Sequence, residues 1–209
     1  MSTPVLPPIA SLPTANEETI KAALDALFEP SPEIHALAVP EIQRRGGRSI
    51  PDDDIPPFTS YASLIRHIGT LLHQLALSSS LSSSSSPSSL TARRKVHGIL
   101  GSHPRLGAKR VDSAQSRAEQ AQLNNSSNNN NGEAETEAER LADLNREYEA
   151  RFPGLRYVVF VNGRGRKVIM EDMRRRIDRG DVEAEEREAI QAMIDIALDR
   201  AAKLGSTPS

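Results

Sequence analysis

The chain has no cysteine and no tryptophan among its 209 residues. Without cysteine there is no disulfide, no thiolate nucleophile and no cysteine-containing zinc site, and a reducing compartment is permitted. Aromatic residues are scarce too, at 3% against 37% hydrophobic overall. A core must therefore come from Leu, Ile, Val and Ala, a composition suited to packed helices. Strong charge of one sign is also missing. A net charge of −2 gives no overall field for nucleic acid or an anionic membrane and favours a small neutral or anionic ligand. No apolar run approaches the roughly 20 residues that span a bilayer. The start carries Pro4, Pro7, Pro8 and Pro13 without the basic opening of a secretory signal. The closing Thr207-Pro208-Ser209 is not a peroxisomal Ser-Lys-Leu. The cytoplasm is the location these absences lead to.

Helical spacing is what the chain does have. Ile20, Ala23, Leu24, Leu27 and Phe28 predict a helix over Glu17 to Phe28, stopped by Pro30 and Pro32. Glu33 to Arg45 is a weaker helical pattern because Pro40 interrupts it, and 46–57 reads as a loop. Tyr61, Leu64, Ile65, Ile68, Leu71, Leu72 and Leu75 form the clearest stripe, and Thr91 to Leu100 a short one. Leu141, Leu144, Tyr148 and Phe152 mark another helix, ending near Pro153-Gly154. Two more carry Ile169, Met170, Met173 and Ile177, then Ile190, Met193, Ile194, Ala197, Ala201 and Leu204. Residues 78–89 are almost pure serine and 124–132 are asparagine-rich, compositions with too little apolar surface to offset ordering, so both read as flexible inserts. The expectation is an all-α, single compact domain of about six to eight helices over 17–204, with a flexible Pro-rich start at 1–16 and a flexible end at 205–209. Leu155 to Val161 looks locally like a strand, and the turn Asn162-Gly163-Arg164-Gly165 follows it.

Several motifs have ordinary structural readings. Gly163-Arg164-Gly165 lacks the further glycines, or the Gly-Lys-Ser/Thr ending, of a phosphate loop. The five histidines contain no His-Glu-x-x-His pair, so no metal site is expected, and His67 lies on the apolar stripe as a core histidine would. The basic patch from Arg164 to Arg176 is followed by Glu183, Glu185, Glu186 and Glu188 and reads as a solvated mixed-charge surface. Ser116-Arg117-Ala118-Glu119 fits a capping box. Arg200 falls on or beside the buried stripe of the last helix, where its stem would pack on the core and its head meet helix C-terminal carbonyls.

Three pieces in order, His103-Pro104-Arg105-Leu106-Gly107, Ser116-x-x-Glu119-Gln120 and Leu144-Asn145-x-x-Tyr148-x-x-x-Phe152, resemble the 2-oxo-4-hydroxy-4-carboxy-5-ureidoimidazoline decarboxylase family. Phe28-Glu29-Pro30-Ser31, Pro57-Phe58 and Ile194-x-Ile196-Ala197-x-x-Arg200 add to the likeness. The resemblance implies an all-helical fold, typically a homodimer, with neither metal nor organic cofactor. It implies a catalytic trio of His103, Glu119 and Arg200. Substrate contacts would come from Pro104, from Ser116, Arg117, Ala118, Glu119 and Gln120, and from main-chain groups of Tyr157, Val158, Val159, Phe160 and Val161. That last role turns the strand-like segment into an extended linker. The ligand would be the ureidoimidazoline, and a peroxisomal home stays open on the resemblance alone. Arg105 departs from the acidic residue common after His-Pro. The competing reading is a non-catalytic helical binding or scaffold protein that keeps the fold.

Overall fold

A computed structural model of the chain describes residues 5–46, 56–81, 86–107, 116–118, 120–121 and 131–205, leaving out the side chains of 81 and 131–136. Among the described residues there are seven long helices: α1 Glu17–Phe28, α2 Pro32–Arg44, α3 Tyr61–Leu81, α4 Pro87–Leu100, α5 Asn131–Arg151, α6 Arg166–Arg179 and α7 Val182–Gly205. A 3-10 helix, Ile9–Thr14, precedes them, and residues 116–118 and 120–121 are helical too. Among the described residues there is no strand, so the fold is all-α. The strand-like run from Leu155 to Val161 takes no regular secondary structure. The chain divides into two compact units, one formed by Met1–Ile99 with Ile194–Ser209 and the other by Leu100–Met193.

In the first unit, α1 begins where the Asn16 side chain accepts from the Thr19 amide at 2.8 Å and α2 where Ser31 Oγ accepts from the Ile34 amide at 3.3 Å. Each cap satisfies an amide that has no intrahelical partner, worth about 1 kcal/mol. Pro40 leaves α2 unbroken. It lies on the exposed face, where the carbonyl it deprives of a partner can meet water, while Ile34, Ala38, Val39 and Ile42 stay buried on the other face. Leu24, Leu27, Leu64, Ile65, Ile68 and Leu72 are likewise buried, each contributing about 1.5–3 kcal/mol. A Cβ on Gly69 would stand 2.4 Å from Ile194 Cδ1, so glycine permits the close approach of α3 to the end of α7.

Parts of two stretches read as flexible have defined structure. The Pro-rich start is folded from residue 5. Leu12 is fully buried, and the Tyr61 hydroxyl donates to the Pro7 carbonyl at 2.7 Å, with burial pushing that phenol up to about 12. The serine run is helical at both ends. Ser78 and Ser79 hydroxyls donate back to the Gln74 and Ala76 carbonyls at 2.8 and 2.7 Å, extending α3 to Leu81. Ser86 Oγ accepts from the Ser89 amide at 3.2 Å at the start of α4. Residues 82–85 of that run lie outside the described set, as do most of the asparagine-rich insert and residues 206–209.

The second unit is organised by Tyr148, whose ring lies tilted at 5.0 Å from that of Phe152 and meets Tyr157 edge-on at 5.6 Å. Around them Leu141, Leu155, Ile169, Met173, Ala189 and Ile190 are buried.

Candidate active site

The His103 loop begins where α4 ends, because Pro104 denies His103 helical geometry. Its backbone is held by side chains from elsewhere in the second unit. Arg156 Nη1 donates to the His103 carbonyl at 3.0 Å, Gln120 Nε2 to the Arg105 carbonyl at 3.1 Å, and Asn145 Nδ2 to the Leu106 carbonyl at 3.1 Å. Such bonds contribute about 0.5–1.5 kcal/mol each and fix carbonyls that no helix or sheet satisfies. Asn145 is itself anchored, giving a bond to the Leu141 carbonyl at 2.8 Å. The loop closes on Gly107, with φ +80 and a virtual Cβ only 2.7 Å from Leu141 Cδ2, so both conformation and space require glycine. His103 is buried, at 4% exposure. Arg105, the departure from the family pattern, turns outward and pairs with Glu149, Nε to Oε1 at 2.5 Å.

Of the other substrate-contacting candidates in this unit, Pro104 is half-buried, Ser116 is buried, and Arg117 and Ala118 are exposed. Ser116 is helical. Glu119, the second member of the implied trio, lies outside the described residues.

The segment 157–161 is clamped from behind. Arg176, only 3% exposed, donates from Nη1 to the Val158 carbonyl at 3.0 Å and lies 4.7 Å over the Tyr157 ring. Its Nε donates to Glu185 Oε1 and Oε2 at 2.9 and 3.0 Å, and the Tyr148 hydroxyl donates to the same carboxylate. Burial penalises the guanidinium, but the bonds and charge of Glu185 outweigh it and raise its pKa. The Tyr157 hydroxyl donates to Asp172 Oδ2 at 2.6 Å; burial first, then that carboxylate, pushes the phenol up. The segment ends in a tight turn in which the Arg164 amide donates to the Val161 carbonyl at 2.9 Å. Asn162 and Gly163 both have positive φ, 43 and 73, the two-residue Asn-Gly geometry that reverses a chain most compactly.

Arg200 belongs to the first unit and is 2% exposed. Its Nη2 donates to Glu29 Oε1 at 2.8 Å, and Nη1 reaches the Leu27 carbonyl at 3.4 Å. The expected contact was with the C-terminal carbonyls of its own helix; the carbonyl met is that of Leu27, at the end of α1. The carboxylate was not expected. Glu29 caps α1 with φ 79 and ψ 147, a conformation nearly reserved for glycine that costs about 1–3 kcal/mol in other residues.

The remaining candidates have ordinary surroundings. His67 is half-buried, its Nε2 3.4 Å from Glu41 Oε2 and its ring 5.5 Å from Phe58. In the basic patch, Arg174 pairs with Glu147 at 2.5 and 2.6 Å, and Arg175 with Asp172 and Glu188 at 2.7 and 3.0 Å, a mixed-charge surface as expected; Arg176, Glu185 and Glu186 of the same run are instead buried, where Arg176 and Glu185 satisfy each other's charge. Among the described residues, no three His, Asp or Glu side chains are grouped to hold a metal ion, and no helix is long and apolar enough to cross a membrane.

No curated protein sequence matches the chain significantly. The sequence model of the family described as OHCU decarboxylase matches residues 13–202. That span takes in the His103 loop, the clamped segment 157–161, Glu29 and Arg200. The chain thus belongs to the OHCU decarboxylase family, carboxy-lyases of urate breakdown.

Proposed function

We propose that the protein converts 2-oxo-4-hydroxy-4-carboxy-5-ureidoimidazoline to (S)-allantoin with no metal or organic cofactor. The observation that carries this reading is the His103 loop, in which a buried imidazole sits on a backbone pinned at three carbonyls. A general acid or base needs that kind of fixed placement.

The substrate supplies its own electron sink. The bond from its hydroxyl-bearing ring carbon to the carboxylate breaks, carbon dioxide leaves, and the electron pair flows into the adjacent carbon–nitrogen double bond of the ring, whose nitrogen takes up a proton. The hydroxyl then becomes the ring carbonyl as it gives up its proton, and the neighbouring ring carbon gains one on a single face, which sets the stereocentre. His103 is assigned to proton transfer, because an imidazole's ordinary pKa lies near neutrality. Glu119 is assigned to orienting the imidazole and stabilising its charged form. Arg200 is assigned to the negative charge that develops as carbon dioxide departs. A guanidinium that only gripped the carboxylate would stabilise the ground state and not the transition state. Pro104, the 116–120 stretch and main-chain groups of 157–161 would contact the substrate. A homodimer, in keeping with the family resemblance, working in the cytoplasm or, as the resemblance leaves open, the peroxisome accompanies this reading.

The test is to follow the ultraviolet absorbance of freshly generated substrate with wild type and with His103→Ala of matched thermal stability. A loss of about 10²- to 10⁴-fold in kcat is expected for removal of a general acid or base. Equal rates in the two proteins would overturn the assignment.

A further inference from the structure

Glu29 has no role in the reading above, yet the chain places a buried carboxylate where the backbone favours glycine. The α1 helix ends at Phe28, and Glu29 adopts φ 79 and ψ 147 with 4% exposure. The following Pro30 contributes, since a residue before proline is pushed to extended ψ, but proline does not demand a positive φ. A glycine would end α1 here without strain. What glycine could not supply is the oxygen 2.8 Å from Arg200 Nη2.

We propose that Glu29 is a positioning residue for Arg200, its carboxylate fixing the plane of the guanidinium that meets the developing charge. The two Nη atoms are held by adjoining parts of one helix end, Nη2 by the Glu29 carboxylate and Nη1 by the Leu27 carbonyl at 3.4 Å. Two acceptors from one rigid element define an orientation as well as a position, which a lone carboxylate on a flexible loop would not. Both side chains are nearly closed to solvent, at 2% and 5%, so water does not compete for the bond. The strained backbone follows from the need to aim this carboxylate at Arg200 from the end of α1, and strain of this kind is characteristic of sites where geometry serves function. The inference rests on the catalytic assignment of Arg200 above.

The experiment is a double-mutant cycle on the full chain, with kcat, KM and thermal unfolding measured for wild type, Glu29→Gln, Arg200→Lys and the double variant. Glu29→Gln keeps an acceptor oxygen and the backbone strain while removing the charge. It should lower kcat and kcat/KM together by about 10- to 100-fold, because the interaction it disturbs is made in the transition state. In the Arg200→Lys background the same change should cost less than about twofold, since there is no fork left to position. A Glu29→Gln protein with wild-type kcat, or one whose loss is the same factor in both backgrounds, overturns the proposal. If Glu29→Gln fails to fold, Glu29→Asp takes its place, keeping the charge on a shorter arm, and is read by the same two criteria. An active wild type with an unaffected Glu29 variant rejects this inference alone, whereas a wild type that does not accelerate the reaction rejects the decarboxylase reading and this inference with it.

Discussion

Each compact unit buries one arginine against one glutamate, and the two pairs are built differently. Arg176 and Glu185 both stand on regular helices, and the pair is surrounded by further partners: the Tyr148 hydroxyl, Arg179 at 3.0 Å from Glu185 and the Val158 carbonyl. Arg200 stands on a regular helix as well, but Glu29 reaches it from a strained cap residue. The first arrangement is what a fold needs once it has buried a charge, because an ion taken out of water must find partners that satisfy it. The second accepts a backbone cost that holding the fold together does not require. The difference separates a pair that secures a segment from a pair that sets a geometry.

The comparison is most severely strained by breaking the first pair. Glu185→Ala leaves the Arg176 guanidinium buried without its carboxylate, and stability should fall by about 3–5 kcal/mol, read as a lower denaturant midpoint. A loss below about 1 kcal/mol, the range of a surface pair, would mean that Arg176 finds water or another acceptor and that the clamp is weaker than its geometry implies. Arg200→Lys sharpens the contrast from the other side. It keeps the positive charge opposite Glu29 and should leave the unfolding midpoint close to wild type, while kcat falls about 10²- to 10³-fold. Comparable losses of stability and rate would erase the distinction between the pairs.

Acid provides a smaller test. Burial pushes the Asp172 and Glu188 carboxyls up, but bonds from Tyr157 and Arg175 to Asp172, and from Arg175 and Arg179 to Glu188, outweigh it and hold both below their ordinary values of 3.8 and 4.5. Carboxyls with depressed folded values contribute stability that is fully present above the unfolded values and is lost as pH falls through the folded ones. Unfolding should therefore become easier from about pH 4.5 downward, and Asp172→Asn should flatten that slope. An unchanged slope in the variant would show that Asp172 carries none of the effect.

The helices were legible wherever apolar residues recur at helical spacing. Ile20, Ala23, Leu24, Leu27 and Phe28 followed by Pro30 define α1 to the residue. The folded Pro-rich start was not legible, because Leu12 lies among prolines with no periodic neighbours and the segment is tied at Pro7 to Tyr61, 54 residues away. Nor were the helical ends of the serine run, whose composition offers no apolar periodicity to read, although its hydroxyls bond back to carbonyls one turn earlier. His103 and Arg200 could be named as candidates from the motifs that resemble the family. The roles of Arg156 and Glu29 could not. Their partners His103 and Arg200 are 53 and 171 residues away, and no local spacing rule reaches so far. A glutamate between Phe28 and Pro30 looks like an ordinary residue between helices until its φ is known.

The most direct test of the account is circular dichroism of allantoin formed from freshly generated ureidoimidazoline with wild-type protein. The account predicts a signal of one sign, that of (S)-allantoin, rising well ahead of the spontaneous reaction. A signal that stays at zero while substrate decays at the rate seen in buffer would contradict it and would leave a helical protein of this family whose buried histidine and arginine serve another purpose.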